Sequence, residues 1–181
     1  MQFFIKNNWE EPVDRTPKVA PLRNVLADLR SGQTIAIGGS LLHNKPMALV
    51  REIIRSDVRD LVVIGVPQAS IDVDMLIAAG RVAEVRVPYL GFEQFGLAPA
   101  YRKASAAGAI TVWESDETHL LAGLEASAKD LPSAMVKAGV GTDLPKLNHD
   151  LVEVSDPITG EPMIAVAAIR PDFALLHAPA G

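Results

Sequence analysis

The chain of 181 residues is long enough for one compact α/β domain, and its composition, 49% hydrophobic and 22% charged, is that of an ordinary globular protein. Its net charge of −5 argues against a nucleic-acid-binding protein, which normally carries a basic surface. The sequence contains no cysteine, which excludes disulfides, thiolate metal ligands and a cysteine nucleophile.

Signals for export or membrane insertion are weak in this sequence. Residues 1–8 contain one lysine and no apolar stretch long enough for a signal peptide. The longest apolar runs, such as residues 61–66, are far too short to span a bilayer. We therefore expect a cytoplasmic protein with neither a nucleic-acid nor a membrane partner.

Apolar periodicity divides the chain into an extended arm over residues 1–20 and a single α/β domain over residues 21–181. Within the domain, helical spacing alternates with short β-branched runs that are typical of buried strands. Helices are predicted over residues 21–30, from Pro46, over 71–79, over 101–107 and after a cap at Ser115; strands are predicted over 34–37, 61–66, 83–87, 110–112, 163–168 and 173–177; a long loop is predicted from Pro132 through Gly139 and Gly141.

The alternation of strands and helices predicts crossover connections, and therefore an open, mainly parallel sheet with helices on both faces. Residues 83–87 alternate apolar and charged side chains, so this strand is expected to be half exposed. The last two predicted strands have no helix between them, and we expect them to be antiparallel additions to the sheet.

A glycine pair follows the first predicted strand. Gly38, Gly39 and Ser40 stand at its carboxyl end, and Lys45-Pro46 begins a helix soon afterwards. Open α/β sheets bind ligands at this edge, where glycine lets a ligand approach backbone N–H groups closely. A tight turn that needs glycine for its positive φ explains the same residues, and from spacing alone it is the stronger interpretation. The pattern completes neither a Walker A loop nor a dinucleotide-binding motif.

An acidic cluster formed by Glu114, Asp116 and Glu117 also follows a predicted strand. Acidic side chains in the first turn of a helix interact favourably with the positive end of the helix dipole, and this capping role is the stronger explanation from the sequence pattern alone. A carboxylate at the ligand edge could instead act as a base or a nucleophile.

Glu93 lies in residues 89–96 among two glycines and three aromatic side chains, which makes a plausible substrate loop. A surface loop whose aromatic side chains close the core is the slightly favoured alternative. The histidines lack the i, i+4 pair of a helical metal site, and no G-x-S-x-G elbow is present. Neither a metal site nor a serine triad is therefore predicted.

Several short motifs follow one another along the chain, at residues 29–39, 45–46, 60–65, 75–80 with Val82, 108–110, 114–117, 139–143, 156–161 and 171–178. Taken in order, they resemble the A subunits of the family I CoA-transferases. No single motif is diagnostic, but their order along residues 22–178 makes the set specific. The Lys45-Pro46 form looks closer to the glutaconate type than to the succinyl-CoA:3-ketoacid type, and it is also similar to the A subunits of ring-opening acyl-CoA hydrolases of steroid degradation.

This resemblance implies a mechanism and a partner. In such transferases a glutamate attacks the acyl-CoA thioester and becomes a glutamyl-CoA thioester, which passes CoA to a second, small carboxylic acid. The family carries this glutamate on the B-type half, so the chain is expected to need a B-type partner. Coenzyme A enters as part of the substrate, and no permanently bound cofactor is expected. Gly38, Gly39, Ser40, Lys45 and Glu93 are then the expected substrate- and CoA-binding residues.

Two other functions stay open. In the hydrolase branch a glutamate of the A-type half is implicated in the active site, and Glu117, or with less support Glu114, matches it and would steer water as a base. The same fold group also includes sugar-phosphate isomerases and effector-binding domains, so a non-catalytic ligand-binding domain is the third hypothesis.

Two departures from the family pattern carry expectations of their own. Ser40 stands where many members have phenylalanine, so the pocket wall is expected to differ. The A subunits of the family usually continue with further α/β elements after the position of residue 178. We therefore expect a domain that is C-terminally short of the family, an oligomer, and sheet edges covered by a tightly bound partner.

Overall fold

The computed structural model describes residues 19–178, so the arm predicted over residues 1–20 lies outside the described residues except for its last two positions. The helices are α1 Leu22–Val25, α2 Met47–Arg55, α3 Ile71–Ala78, α4 Pro99–Ala106, α5 Glu117–Ala128 and α6 Leu144–Leu147. The strands are β1 Thr34–Ile37, β2 Leu61–Gly65, β3 Val82–Arg86, β4 Thr111–Val112, β5 Ser133–Val136, β6 Leu151–Ser155, β7 Pro162–Ala167 and β8 Phe173–Leu175. None of these helices is long and apolar enough to cross a membrane.

Five strands form a parallel sheet in the order β4-β3-β2-β1-β8. Ile35 of β1 lies beside Val63 of β2 on one side and beside Phe173 of β8 on the other. Successive strands from β1 to β4 are joined through α2, α3 and α4, because parallel neighbours require a crossover connection.

Alternating side chains of the central strands pack into two separate hydrophobic cores. Ile35 and Val63 point to the face that is covered by α2, α3 and α4. Ala36 and Ile64 point to the opposite face, where they join Leu120 of α5. The predicted fold class, an open parallel sheet with helices on both faces, is confirmed.

A second, antiparallel sheet has the order β5-β7-β6 and packs beneath α5. Ile164 and Val166 of β7 are fully buried in the second core. β7 confirms the antiparallel strand predicted over residues 163–168, but it pairs with β5 and β6 in this second sheet and is not an addition to the parallel sheet. β5 forms where a long loop is predicted, and β6 has no predicted counterpart. Both flanking strands leave much of their length exposed, so their apolar pattern is weak and long-range pairing with β7 supplies the missing information.

The direction of β8 differs from the prediction, because β8 is parallel to β1 rather than antiparallel. Asp172 sets this direction at the start of the strand. Its carboxylate accepts a hydrogen bond from the Thr34 N–H at 2.8 Å, and its own N–H donates to the Thr34 carbonyl at 2.8 Å. α5 and the small sheet both lie between β4 and β8 in the chain, and together they form the crossover connection.

The ends of two helices also differ from the predictions. α1 covers four residues of the helix predicted over residues 21–30, and turns follow it. α5 begins after Asp116 rather than after Ser115, because the Asp116 carboxylate accepts the His119 N–H at 3.0 Å. In return the Asp116 N–H donates to Nδ1 of His119 at 3.2 Å. The histidine thus occupies the position that glutamate or glutamine holds in the usual capping box.

Replacing Ile164 by alanine is expected to lower the free energy of unfolding by about 2–5 kcal/mol, because the change leaves a cavity in the core between the two sheets. Ile158 is 91% exposed and provides the control, so I158A should stay within about 0.5 kcal/mol of the wild type. Urea denaturation followed by circular dichroism measures both values. Equal effects of the two substitutions would contradict the packing of the second core.

Candidate functional site

Three turns lie side by side at the carboxyl edge of the parallel sheet. We call them the β1 turn (residues 38–44), the β2 turn (residues 66–70) and the β3 turn (residues 87–97). Ser40 of the β1 turn pairs with Gln68 of the β2 turn, and Ala69 of the β2 turn pairs with Leu90 of the β3 turn. This edge is where open α/β sheets bind ligands.

Close packing explains both glycines of the β1 turn. Gly39 has a φ of +97°, and a Cβ atom there would lie 2.5 Å from the Asn44 carbonyl oxygen. A Cβ atom on Gly38 would lie 2.5 Å from Cδ2 of Leu176. The Gly38 N–H donates to the Leu175 carbonyl at 3.0 Å, so it is committed to β8 rather than open to a ligand.

Lys45 connects the β1 turn to the β2 turn from inside the protein. Its Nζ donates to the Gly39 carbonyl at 2.9 Å and to the Gln68 carbonyl at 2.8 Å. Nζ also lies 3.3 Å from the Asp72 carboxylate, and the two side chains are 2% and 0% exposed. Two of the three N–H donors of the ammonium thus bind turn carbonyls, and the Asp72 carboxylate lies beside the ammonium as its ion-pair partner. Lys45 therefore holds the two turns together instead of presenting its charge to solvent.

Asp72 and Ser70 extend this arrangement to the β3 turn. The other oxygen of the Asp72 carboxylate accepts the Ser70 N–H at 2.9 Å, and the Ser70 hydroxyl donates to the Gly91 carbonyl at 2.8 Å. Burial lowers the pKa of the Lys45 ammonium from its usual range, and the neighbouring Asp72 carboxylate opposes this effect. The buried polar groups thus reach all three turns.

Glu117 lies at the same edge as the glycine turn. Nε2 of Gln68 donates to Oε2 of Glu117 at 3.4 Å, while the Gln68 carbonyl binds Lys45. Asp116 caps α5, and the exposed carboxylate of Glu117 is the next group along the chain. Of the two roles that compete in the sequence, capping thus falls on Asp116, and a ligand-facing role for Glu117 stays a prediction.

The β3 turn divides its aromatic side chains between core and surface. Phe92 packs against the first core, whereas Phe95 is 72% exposed. Glu93 is exposed in the short 3-10 turn Glu93–Phe95 and has a φ of +51°. The core-closing interpretation thus applies to Phe92, whereas the substrate loop around Glu93 stays a prediction.

Glu114 lies in different surroundings from Glu117. It lines a depression of about 220 Å³ on the second face of the sheet, together with Arg86, Trp113 and Asp150. The polar groups of this depression bind one another: Arg86 lies 3.5 Å from the Asp150 carboxylate, and the Trp113 Nε1–H donates to it at 3.0 Å. Among residues 19–178, no three histidine, aspartate or glutamate side chains are grouped as metal ligands.

The site includes residues that sequence reasoning missed. Gly39, Ser40 and Glu117 are brought to one edge, as their positions after strands suggest. Gln68 and Asp72 take part as well, although no motif of the sequence points to them. Asp72 could have been noticed in the sequence, because a charged residue within the apolar run of α3 requires a polar partner when it is buried.

Together these features define an α/β domain whose candidate site lies where its strands end, with a glycine turn on one side and a helix-start glutamate on the other. The model of the family described as Coenzyme A transferase matches residues 20–181, and the chain belongs to that family. The resemblance found in the sequence is thereby confirmed.

Three relatives illustrate the similarity. The chain is 39% identical over 175 residues to the cholesterol ring-cleaving hydrolase IpdA subunit of Rhodococcus jostii, an alignment that covers 91% of the chain and 57% of that protein. It is 32% identical over 153 residues to the A subunit of the 3-oxoadipate CoA-transferase of Pseudomonas knackmussii, which covers 83% and 54%. The structure of glutaconate coenzyme A-transferase from Acidaminococcus fermentans superposes with a TM-score of 0.83 and 28% identity over 90% of this chain and 56% of that one. The chain thus spans little more than half the length of these relatives.

Replacing Gly39 by alanine is expected to destabilise the protein by more than the same change at Gly96. The two glycines have nearly equal φ angles, +97° and +98°, but a Cβ at Gly96 meets no atom within 4 Å. Backbone strain should therefore cost about 1–3 kcal/mol at both positions, and the collision with the Asn44 carbonyl adds to it only in G39A. Thermal unfolding of the two variants measures the difference. A G39A protein as stable as G96A would show that the β1 turn is not closely packed.

Proposed function

We propose that the chain is the A subunit of a CoA-transferase that moves CoA between an acyl-CoA and a small carboxylic acid, together with a B-type partner. The observation that carries this proposal is the common edge of Gly39 and Glu117, which Lys45 and Gln68 connect. Membership of the Coenzyme A transferase family and similarity to the A subunits of transferases support the class of reaction.

In this proposal the partner supplies the glutamate nucleophile. Its carboxylate attacks the acyl-CoA thioester and becomes a glutamyl-CoA thioester, while the first acid is released. The second carboxylic acid then receives CoA, and the partner's glutamate is regenerated as a free carboxylate. Each thioester that is broken is replaced by another, so the reaction requires no cofactor besides the CoA of the substrate.

The chain itself provides one wall of the site. Gly39 and Ser40 lie where a thioester or carboxylate oxygen can approach the backbone closely. Glu93 and Phe95 extend from the neighbouring β3 turn and offer a carboxylate and an apolar surface beside it. Lys45 supports these turns from inside the protein, because its ammonium is buried and donates to two turn carbonyls. We propose a cytoplasmic setting for the reaction, which the cysteine-free composition supports.

Transfer activity is expected only when this chain is combined with a B-type partner. The test mixes an acyl-CoA with an isotopically labelled acid and detects the new CoA ester by mass spectrometry. The complex should form the labelled ester, whereas neither component should form it by itself. Full transfer by the isolated chain would contradict the proposed division of labour.

A related ring-opening acyl-CoA hydrolase is the second candidate function. The specific observation in its favour is the 39% identity to the cholesterol ring-cleaving hydrolase IpdA subunit. The position of Glu117 supports it as well, because this carboxylate is exposed at the sheet edge and does not cap α5. In this function Glu117 holds a water molecule and accepts its proton as the water adds to the ring ketone of a cyclic β-keto acyl-CoA. The ring C–C bond between that carbonyl and the carbon next to the thioester then breaks, and the proton is delivered to that carbon.

Replacing Glu117 by glutamine separates the two candidates. In the hydrolase, E117Q should lower kcat by about 100-fold or more, because a general base contributes at least that factor. In the transferase the nucleophile belongs to the partner, so E117Q should leave the formation of the glutamyl-CoA intermediate intact. Glu153 lies on an exposed position of β6, and E153Q is the control that should keep full activity in either case.

A further inference from the structure

Lys45, Ser70 and Asp72 form a buried polar group at the carboxyl edge of the sheet, which we call the Lys45 cluster. We propose that the Lys45 cluster is a positioning device that locks the β1, β2 and β3 turns into one arrangement and thereby sets the shape of the site. The inference rests on the proposed function, in its transferase or its hydrolase form, for the step from turn geometry to catalysis.

The contacts of the cluster are distributed one to each turn. Lys45 binds the carbonyl of Gly39 in the β1 turn and the carbonyl of Gln68 in the β2 turn. Ser70 binds the carbonyl of Gly91 in the β3 turn. Asp72 joins the two donors, since one carboxylate oxygen faces the Lys45 ammonium and the other accepts the Ser70 N–H. All three bonds to the turns therefore depend on one buried ion pair.

Stability alone is a weak reason for such a pair. Removing two charges from water is costly, and well-packed apolar residues in their place are often as stabilising or more so. The cluster could not be replaced in this way without leaving three turn carbonyls without their donors. The distinctive contribution of the cluster is therefore that it fixes the positions of the three turns relative to one another.

The positions of the bound carbonyls connect the cluster to the site. Gly39 precedes Ser40, which pairs with Gln68, and the amide of Gln68 contacts Glu117. Gly91 opens the segment that carries Glu93 and Phe95. Loss of the cluster would let the β1 turn and the β3 turn move independently of each other, although the cluster itself is buried and does not contact the substrate.

Three variants separate positioning from stability. K45M removes the ammonium and keeps most of the side chain, but it leaves Asp72 as a buried unpaired charge. K45M/D72N removes that charge as well and keeps an oxygen to accept the Ser70 N–H. S70A releases only the β3 turn. K146M, which removes one partner of an exposed ion pair with Asp143, is the control.

Amide hydrogen exchange of the isolated chain measures the order of the turns without any substrate. K45M/D72N should regain most of the melting temperature that K45M loses, yet exchange at His43, Val66 and Ala69 should remain roughly tenfold faster or more than in the wild type. S70A should accelerate exchange at Ala69 and Gly91, whose amides bond across the β2 and β3 turns, but not at His43 or Val66. Amides of β7, in the second core, should keep their protection in all variants, and K146M should resemble the wild type throughout.

Kinetics of the complete complex supply the second measurement. K45M/D72N should lower kcat for CoA transfer or hydrolysis by roughly tenfold or more with a smaller change in KM, because misaligned walls impair the reacting geometry more than binding. The positioning role is wrong if K45M/D72N shows wild-type exchange at the turns, if exchange rises uniformly across the chain, or if kcat is unchanged while the turns are loosened. If the wild-type complex has no activity on CoA esters, the proposed function fails, whereas the exchange pattern still decides whether the cluster holds the turns.

Discussion

Lys45, which is almost completely excluded from water, joins two turns at the carboxyl edge of the parallel sheet, where the candidate site lies. Its charge is stable in the interior only because Asp72 lies 3.3 Å away and two carbonyl oxygens complete its hydrogen bonds. Those carbonyls belong to turns that leave two neighbouring strands, so the electrostatic requirement of one side chain becomes a geometric requirement on the backbone. The glycine at position 39 satisfies it, because no other residue leaves room for the Asn44 carbonyl at that φ.

The two faces of the parallel sheet contribute to the site in different ways. The first core, under α2, α3 and α4, holds the strands at fixed spacing and carries the buried ion pair at its edge. The second core brings in α5 and the antiparallel sheet, and α5 carries Glu117 to the same edge. The site is therefore a junction between two packing layers, and its parts come from segments that are far apart in the sequence.

Much of the fold could be predicted, because elements that follow one another in the chain have clear apolar patterns and pack against each other. β1 and β2 are short β-branched runs, and the helix between them has a clear apolar face, so their existence and order followed from the sequence. β5 and the parallel direction of β8 could not be predicted, because the first depends on pairing with β7 and the second on hydrogen bonds between Asp172 and Thr34. Neither interaction is local, and Asp172 and Thr34 are separated by 138 positions.

The site was predictable to a similar extent and for similar reasons. Gly39 and Glu117 each follow a strand, and the rule that ligands bind at the carboxyl edge of parallel strands places both at one edge. Nothing local indicates that Lys45 points inward or that Gln68 spans the gap to Glu117, since these contacts bridge 23 and 49 residues. The comparisons supply the family, but they do not supply these contacts.

His119 connects the start of α5 to the loop that follows β5 of the small sheet. The ring is fully buried; Nδ1 accepts the Asp116 N–H, and Nε2 donates to the Ala138 carbonyl at 2.9 Å just before Gly139. A Cβ atom on Gly139 would lie 2.9 Å from the ring, so this loop is closely packed against the start of α5. The buried imidazole therefore ties the start of α5, and with it the position of Glu117, to the loop that follows β5.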